Sequence, residues 1–412
     1  MLLQVQPSAV KLLVKKFGGT SVGSIERIEV IADKIADAFH AGEQQVVVLS
    51  AMAGATNHLF ALADQIDPHA NARELDMLVS TGEQVSIALM AMALQKRGIK
   101  AKSLTGAQVS ITTNNQFGRA SIEQIDCSQI SELLAAETIP VIAGFQGVTG
   151  DGDITTLGRG GSDTTAVAIA ATIGADECQI YTDVCGVFTT DPNIEPSAKK
   201  LDQISFSEMY EMARLGAKVL HPDSVSYAER FGVKLRVLSS FESGTGTLIE
   251  FDHPNTLNNQ IAGIAVAQQQ VLMQLDLTEV DNDSHSHLFQ QLSQQGIEAD
   301  LITSLNTDVP QLSFVVNQSL LASLLAQLDN LSQSMAIAKI DYKVDLVKIS
   351  IVGKGVIGQT GTVAKIFEIL GDHEIHARLM STSDIKLSLI IEQKDLHKAV
   401  RALHHAFELN KA

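Results

Sequence analysis

Over roughly its first 250 residues the chain alternates short β-branched runs with stretches of helical period, and few folds satisfy that alternation. The runs include Val46 to Leu49, Ile139 to Ala143, Gln179 to Thr182 and Lys234 to Val237. Strands alternating with helices build a parallel or mixed sheet between helix layers. Several runs end in small polar or glycine residues, at Ser50 to Gly54, Gly144 to Gly147 and Thr182 to Gly186. In open α/β sheets, ligands bind at such strand ends.

From about Ile261 the pattern changes, and a repeat appears at an offset of 78 residues. Val271 and Met273 match Ile349 and Ile351 as alternating strand positions. Phe289, Leu292 and Ile297 match Phe367, Leu370 and Ile375, and Leu301-Ile302 matches Leu379-Met380. Two copies of one small α+β unit are the economical reading, paired rather than stacked as a solenoid. Gly244 to Thr247 and Asp252 to Asn259 mark a linker. The expected organisation is an α/β domain at 1–250, a linker at 251–260, and α+β modules at 261–341 and 342–412.

A net charge of -17 disfavours nucleic acid and anionic membranes as partners. No apolar run is expected to approach the roughly 20 residues of a membrane span, and the N-terminus lacks a basic-then-apolar signal pattern, so a cytoplasmic protein is expected. Cys127, Cys178 and Cys185 lack metal-ligand spacing and read as buried or incidental thiols. The paired histidines of the repeat half, such as His373/His376 and His404/His405, have no ligand partners at metal spacing and read as surface or packing residues.

Four segments carry candidate chemistry. Residues 15 to 24, Lys-Lys-Phe-Gly-Gly-Thr-Ser-Val-Gly-Ser, run from a strand into a glycine pair and then a helix whose apolar residues Ile25, Ile28, Ile31, Ile35 and Phe39 recur until Gly42. Gly18 and Gly19 let backbone amides approach anionic oxygens, and Lys16 supplies a full charge. Alone, the segment fits an ordinary tight turn equally well. The second, Leu157-Gly158-Arg159-Gly160-Gly161-Ser162-Asp163-Thr164-Thr165, offers an arginine fork for a carboxylate beside amides at a helix start; a plain glycine turn is the alternative. The third, Tyr181 to Pro192, has acidic and small residues that suit a nucleotide's edges, or simple Asx and Ser/Thr turns. The fourth, Ser80-Thr81-Gly82-Glu83, opens a helix with a carboxylate that the macrodipole would favour in any case. Lys218, in Gly216 to Pro222, is equally ambiguous.

Taken in order, Lys-Phe-Gly-Gly-Thr-Ser-Val at 16 to 22, Ser-Thr-Gly-Glu at 80 to 83, the 157 to 165 segment, Thr-Thr-Asp-Pro at 189 to 192 and Gly-Ala-Lys-Val-Leu-His-Pro at 216 to 222 closely resemble the aspartate kinase family. The repeat half resembles the paired ACT regulatory domains of its monofunctional members. The resemblance implies an amino acid kinase fold followed by two ACT domains, and transfer of the ATP γ-phosphoryl group to the β-carboxylate of L-aspartate. A carboxylate with a pKa near 4 is already ionised at neutral pH, so positioning and charge neutralisation carry the step.

By motif matching, Lys16 and Asp163 would be the catalytic pair. Ser50, Thr56, Glu83, Arg159, Gly160, Gly161 and Ser162 would bind aspartate, with Arg159 on the α-carboxylate and Glu83 on the ammonium. Lys16, Gly18, Gly19, Thr20, Ser21, Thr182, Asp183, Phe188, Asp191 and Lys218 would hold ATP. Mg2+ would arrive with ATP on phosphates and waters, with no dedicated protein ligand. A homodimer through the ACT domains and a lysine or threonine effector are further implications. A kinase acting on glutamate, acetylglutamate or a nucleotide, and a sensor with a weakened kinase half, are the rival readings.

Two departures from the family pattern stand out. Asn193 replaces an arginine expected near the polyphosphate, which predicts weaker ATP binding. Asp281 to Ser286 lacks the Asp-x-Pro-Gly turn usual where an effector binds, whereas Gly353-x-Gly355 and Ser381-Thr382-Ser383 keep the family's look.

Overall fold

A computed structural model describes residues 10–217, 219–251, 261–278, 282–306, 309–331, 337–356 and 360–411. By contact the chain divides into two compact units. The first comprises 1–187, 200–214 and 218–256; the second comprises 188–199, 215–217 and 257–412.

The first unit runs β1 (Leu12–Phe17), α1 (Ile25–His40), β2 (Gln44–Leu49), α2 (Ala55–Ile66), α3 (Ala72–Val79), α4 (Thr81–Lys96), β3 (Ala101–Leu104), β4 (Ile111–Thr113), β5 (Ile122–Ile125), α5 (Ser128–Ala135), β6 (Ile139–Ala143), β7 (Gln146–Val148), β8 (Ile154–Thr156), α6 (Gly161–Ile173) and β9 (Glu177–Thr182). It closes with β10 (Gln203–Ser205), α7 (Phe206–Arg214), α8 (Pro222–Phe231), β11 (Leu235–Ser239) and β12 (Thr247–Glu250). Eight strands form one sheet in the order β10-β12-β11-β9-β1-β2-β6-β3, parallel at every pairing except β11 with β12. A second sheet of four short strands, β5-β4-β7-β8, stands apart from it.

The central strands are apolar on both faces because helices cover both: Val46 to Leu49 are fully buried. Helix α1 starts where Ser24 accepts the Arg27 amide at 3.3 Å, and buries the stripe Ile28, Ile31, Ala32, Ile35 and Ala36. Full burial of one such isoleucine stabilises the unit by roughly 1.5–3 kcal/mol. Between β1 and its neighbours β9 and β2 the chain leaves the sheet in opposite directions, so the carboxyl ends of β1, β2 and β6 open a crevice.

The stretch 72–96 meets the length and hydropathy of a membrane span, against the expectation that none would. It is two helices joined at Ser80, 56% of the apolar window is buried, and it carries the buried Asp76, Glu83 and Ser86. The apolarity serves the protein core.

The second unit holds β13 (Gly263–Leu277), α9 (Asn282–Gln294), β14 (Asp300–Leu305), β15 (Gln311–Asn317), α10 (Leu321–Leu331), β16 (Ile337–Val352), α11 (Thr360–Asp372), β17 (Leu379–Thr382), β18 (Lys386–Glu392) and α12 (Leu396–Ala406). Its six strands form one antiparallel sheet, β14-β15-β13-β16-β18-β17. The repeat falls on equivalent elements: Leu292 in α9 answers Leu370 in α11, and Leu301 in β14 answers Leu379 in β17.

Three apolar clusters form among the described residues of the second unit, and they do not follow the chain in sequence. One gathers Val271, Met273, Leu275 and the leucines of α9 and α10 with Ile337, Ile340 and Val344; another gathers Val347, Ile349, Ile351 and residues up to Leu409 together with Ile261, Ile264 and Val266; a small third joins Leu272, Val315, Leu346 and Ile390. Strands β13 and β16 each cross from one core to the other. The crossing is marked by register shifts between Ala267 and Leu272 and by positive φ at Gln269 (56°) and Asp345 (57°). The sequential division at 341/342 therefore falls inside β16, and 263–267 packs with the second core rather than the first. The linker 252–260, together with Asp281, lies outside the described residues.

Candidate active site

Lys16 is the penultimate residue of β1, and its side chain is about nine-tenths buried. Its neighbour Lys15 points to the opposite face, where Glu43 accepts it at 2.7 Å; burial lowers the Lys15 pKa and Glu43 partly offsets this. Lys16 Nζ instead stands 2.5 Å from Asp163 Oδ1 in the first turn of α6. The two form a buried ion pair that holds the ammonium beside the carboxylate.

These two residues lie at one end of a cleft of about 370 Å³, lined among others by Gly19, Ser50, Met52, Thr56, Glu83, Phe145, Arg159, Gly160, Gly161 and Ser162. Gly19 must lack a side chain, because a β-carbon there would stand 2.9 Å from the Ala51 carbonyl. Its carbonyl accepts the Ala53 amide at 3.1 Å, which binds the β1 turn to the β2 loop. Gly160 has φ of +76°, and a β-carbon on it would meet His221 at 2.4 Å.

Glu83 is 3% exposed. Oε1 accepts the Ala51 amide at 3.0 Å, whereas Oε2 has no partner. Burial pushes its carboxyl up to about 7, against the lowering effect of the Ala51 hydrogen bond. Across the cleft Arg159 is exposed, and among the described residues its guanidinium has no ion pair or hydrogen bond. The cleft thus holds an unpaired arginine fork, an unsatisfied buried carboxylate, and a lysine beside a glycine turn.

The Amino acid kinase family model matches residues 11–239, and an ACT domain model matches 349–407. The aspartokinase of Geobacillus stearothermophilus is 45% identical over 400 residues, covering 97% of each chain. That of Pseudomonas aeruginosa is 45% identical over 403 residues, covering 97% of this chain and 98% of its own. The chain belongs to the aspartokinase family. Among solved structures, Escherichia coli aspartokinase III is similar in two forms. Its complex with lysine and aspartate, called the T-state, has a TM-score of 0.79 at 27% identity, covering 96% of this chain and 99% of its own. Its complex with aspartate and ADP, called the R-state, has a TM-score of 0.77 at 26% identity and the same coverage.

The remaining residues singled out on aspartokinase likeness are distributed unevenly. Gly18 gives its amide to the Tyr181 carbonyl at 3.2 Å. Ser21 is fully buried, its amide bonded to the Gly18 carbonyl and its hydroxyl 2.5 Å from that of Ser240, so neither of its donors faces outward. The amides of Gly19 and Thr20, by contrast, have no acceptor among the described residues. Thr182 ends β9 and Asp183 follows it, with the threonine hydroxyl donating to the aspartate at 3.0 Å, and neither lines the cleft. Phe188 and Asp191 belong to a segment that packs in the second unit. Asp191 there accepts both the amide and the side chain of Asn193, at 2.8 and 2.9 Å. Lys218 lies outside the described residues.

Met52, Asn57 and Phe145 line the cleft but were not singled out in the sequence. For Met52 and Phe145 the signal was there, since Ser50 to Gly54 follows β2 and Gly144-Phe145 follows β6; Asn57, in the first turn of α2, had none. His221, against which a β-carbon on Gly160 would press, belongs to the same 216–222 motif as Lys218.

Proposed function

We propose that this cleft binds L-aspartate between Arg159 and Glu83 and presents its β-carboxylate to ATP held at the Lys16 and Gly19 end. The observation that carries the reading is the pair of unsatisfied groups: a guanidinium with no partner and a buried carboxylate oxygen with none, facing one cavity. An α-carboxylate and an α-ammonium satisfy both together, as those of an α-amino acid would. The solved relative that holds aspartate and ADP supports the same assignment.

Chemistry at the other end needs no base. The β-carboxylate, ionised at neutral pH, forms a bond to the γ-phosphorus while the bond from phosphorus to the bridging oxygen breaks, giving 4-phospho-L-aspartate and ADP. Lys16, held in place by its ion pair with Asp163, neutralises the charge of the moving phosphoryl group. Asp163 keeps the ammonium at the mouth of β1, and the unpaired amides of Gly19 and Thr20 receive phosphate oxygens. Mg2+ is expected on the polyphosphate, where it neutralises charge. Among the described residues no cluster of three metal-ligating side chains exists to hold it separately.

Arg159→Ala tests the assignment. It is expected to raise the aspartate KM by roughly 10- to 150-fold, the worth of a charge-assisted contact. An unchanged aspartate KM would contradict it. We further place the chain in the cytoplasm, as a dimer joined through its ACT modules and answering to lysine or threonine. A monomer in light scattering, or activity indifferent to both amino acids, separately and together, would remove those two elements.

A further inference from the structure

Asp76 sits near the middle of α3, and only 2% of it is exposed. A carboxylate at that depth must be satisfied internally. It accepts the Gly118 amide on both oxygens, at 3.0 and 2.9 Å, the Thr156 amide at 2.8 Å and the Thr156 hydroxyl at 2.7 Å. None of these donors carries a charge.

The recipients matter more than the bonds. Thr156 ends β8, three residues before Arg159. Its carbonyl takes the Ala120 amide at 2.8 Å, and the next amide, of Leu157, bonds the Phe145 carbonyl at 2.9 Å. Gly158 then turns at φ of +74°, with its missing β-carbon 3.2 Å from the Gly118 carbonyl. Both the strand and the loop on which that turn rests are therefore fastened to one carboxylate. On the other side, α3 passes through Ser80 directly into α4 and Glu83. The Gln146 side chain fixes that junction by donating to the Ser80 carbonyl at 2.9 Å.

We propose that Asp76 is the positioning residue of the amino-acid subsite, setting the distance between Arg159 and Glu83. This rests on the reading that those two grip the substrate's α-carboxylate and ammonium. Asparagine is an incomplete replacement, because one of its two positions becomes a donor that only the Thr156 hydroxyl can accept, and the charge that strengthens the amide bonds is lost. A shift of about 1 Å in one gripping group can cost on the order of 100-fold.

The test is steady-state kinetics on four full-length variants: Asp76→Asn, Thr156→Val, Thr156→Ser and Arg159→Ala. Asp76→Asn should raise the aspartate KM by ~10- to 100-fold with the ATP KM nearly unchanged. Thr156→Val, which deletes only the hydroxyl donor, should move the same constant by less, and Thr156→Ser should restore it. A purely structural carboxylate would instead move both constants together. That outcome, or a folded Thr156→Val enzyme with an unaltered aspartate KM, overturns the proposal even if Asp76→Asn fails to fold. Arg159→Ala separates the two claims. If it leaves the aspartate KM alone, the substrate assignment fails. If it raises that constant and the Asp76 and Thr156 variants do not, only the positioning role fails.

Discussion

Glu83 gives the site its pH signature. Burial holds its carboxyl at about 7, while a bound ammonium requires the ionised form. Aspartate binding should therefore release a proton below neutrality, and the aspartate KM should fall as pH rises from 6 to 8. Glu83→Gln should flatten that profile and raise the constant throughout. The same shift governs stability with the opposite sign. Between 4.5 and about 7 the folded chain holds a proton that the unfolded chain has lost, so rising pH erodes stability across that window. The penalty amounts to roughly 3 kcal/mol above it. Glu83→Gln should thus melt higher than the parent at pH 8 and close to it at pH 5; a variant that melts lower at pH 8 would contradict the burial argument.

At the scale of elements, the segment 188–199 is held by packing in the second unit. Thr189 Oγ1 lies 2.9 Å from His404 Nε2 on α12, Thr190 donates to the Ile264 carbonyl at 2.8 Å, and Ile194 joins the core of the second module. His404 is fully buried, and burial lowers its pKa against the pull of Glu195. Thr189→Val would leave both ring nitrogens of that histidine without partners and should cost about 1–3 kcal/mol in denaturant unfolding. No loss of stability would show that the bond contributes nothing net. In the Thr-Thr-Asp-Pro motif both threonine hydroxyls bond within the second unit, and the sequence left site and turn open there because hydroxyls and Asx turns serve both purposes. Lys16, Glu83 and Arg159 were legible because each charge stands beside glycines at a strand or helix end. Asp76 was not, because its partners lie 42 and 80 residues away with no local pattern to link them. Strand β13 differs: its alternation changes phase across Gln268 to Gln270, from Ile264 and Val266 to Val271, Met273 and Leu275, and the change of core falls at that slip, where the register shifts against β16 and Gln269 has positive φ.

For the whole molecule, a strongly acidic chain sets a lysine and an arginine in one cleft of the first unit, and its repeat half forms a single antiparallel sheet shared by two large apolar cores and a smaller cluster. The first arrangement suits anionic substrates brought together where Arg159 has no ion pair among the described residues and Lys16 is positioned by Asp163. The second suits a regulatory module whose two halves share strands and so cannot move independently. What unites them is the claim that the cleft transfers phosphate to a carboxylate. The direct measurement is ADP release with L-aspartate as acceptor, run beside hydroxylamine trapping of the acyl phosphate, with L-glutamate as control. The account predicts aspartate-dependent ADP with one hydroxamate trapped per turnover, and little of either with L-glutamate. ADP release that ignores aspartate, or that proceeds without trappable acyl phosphate, would contradict it.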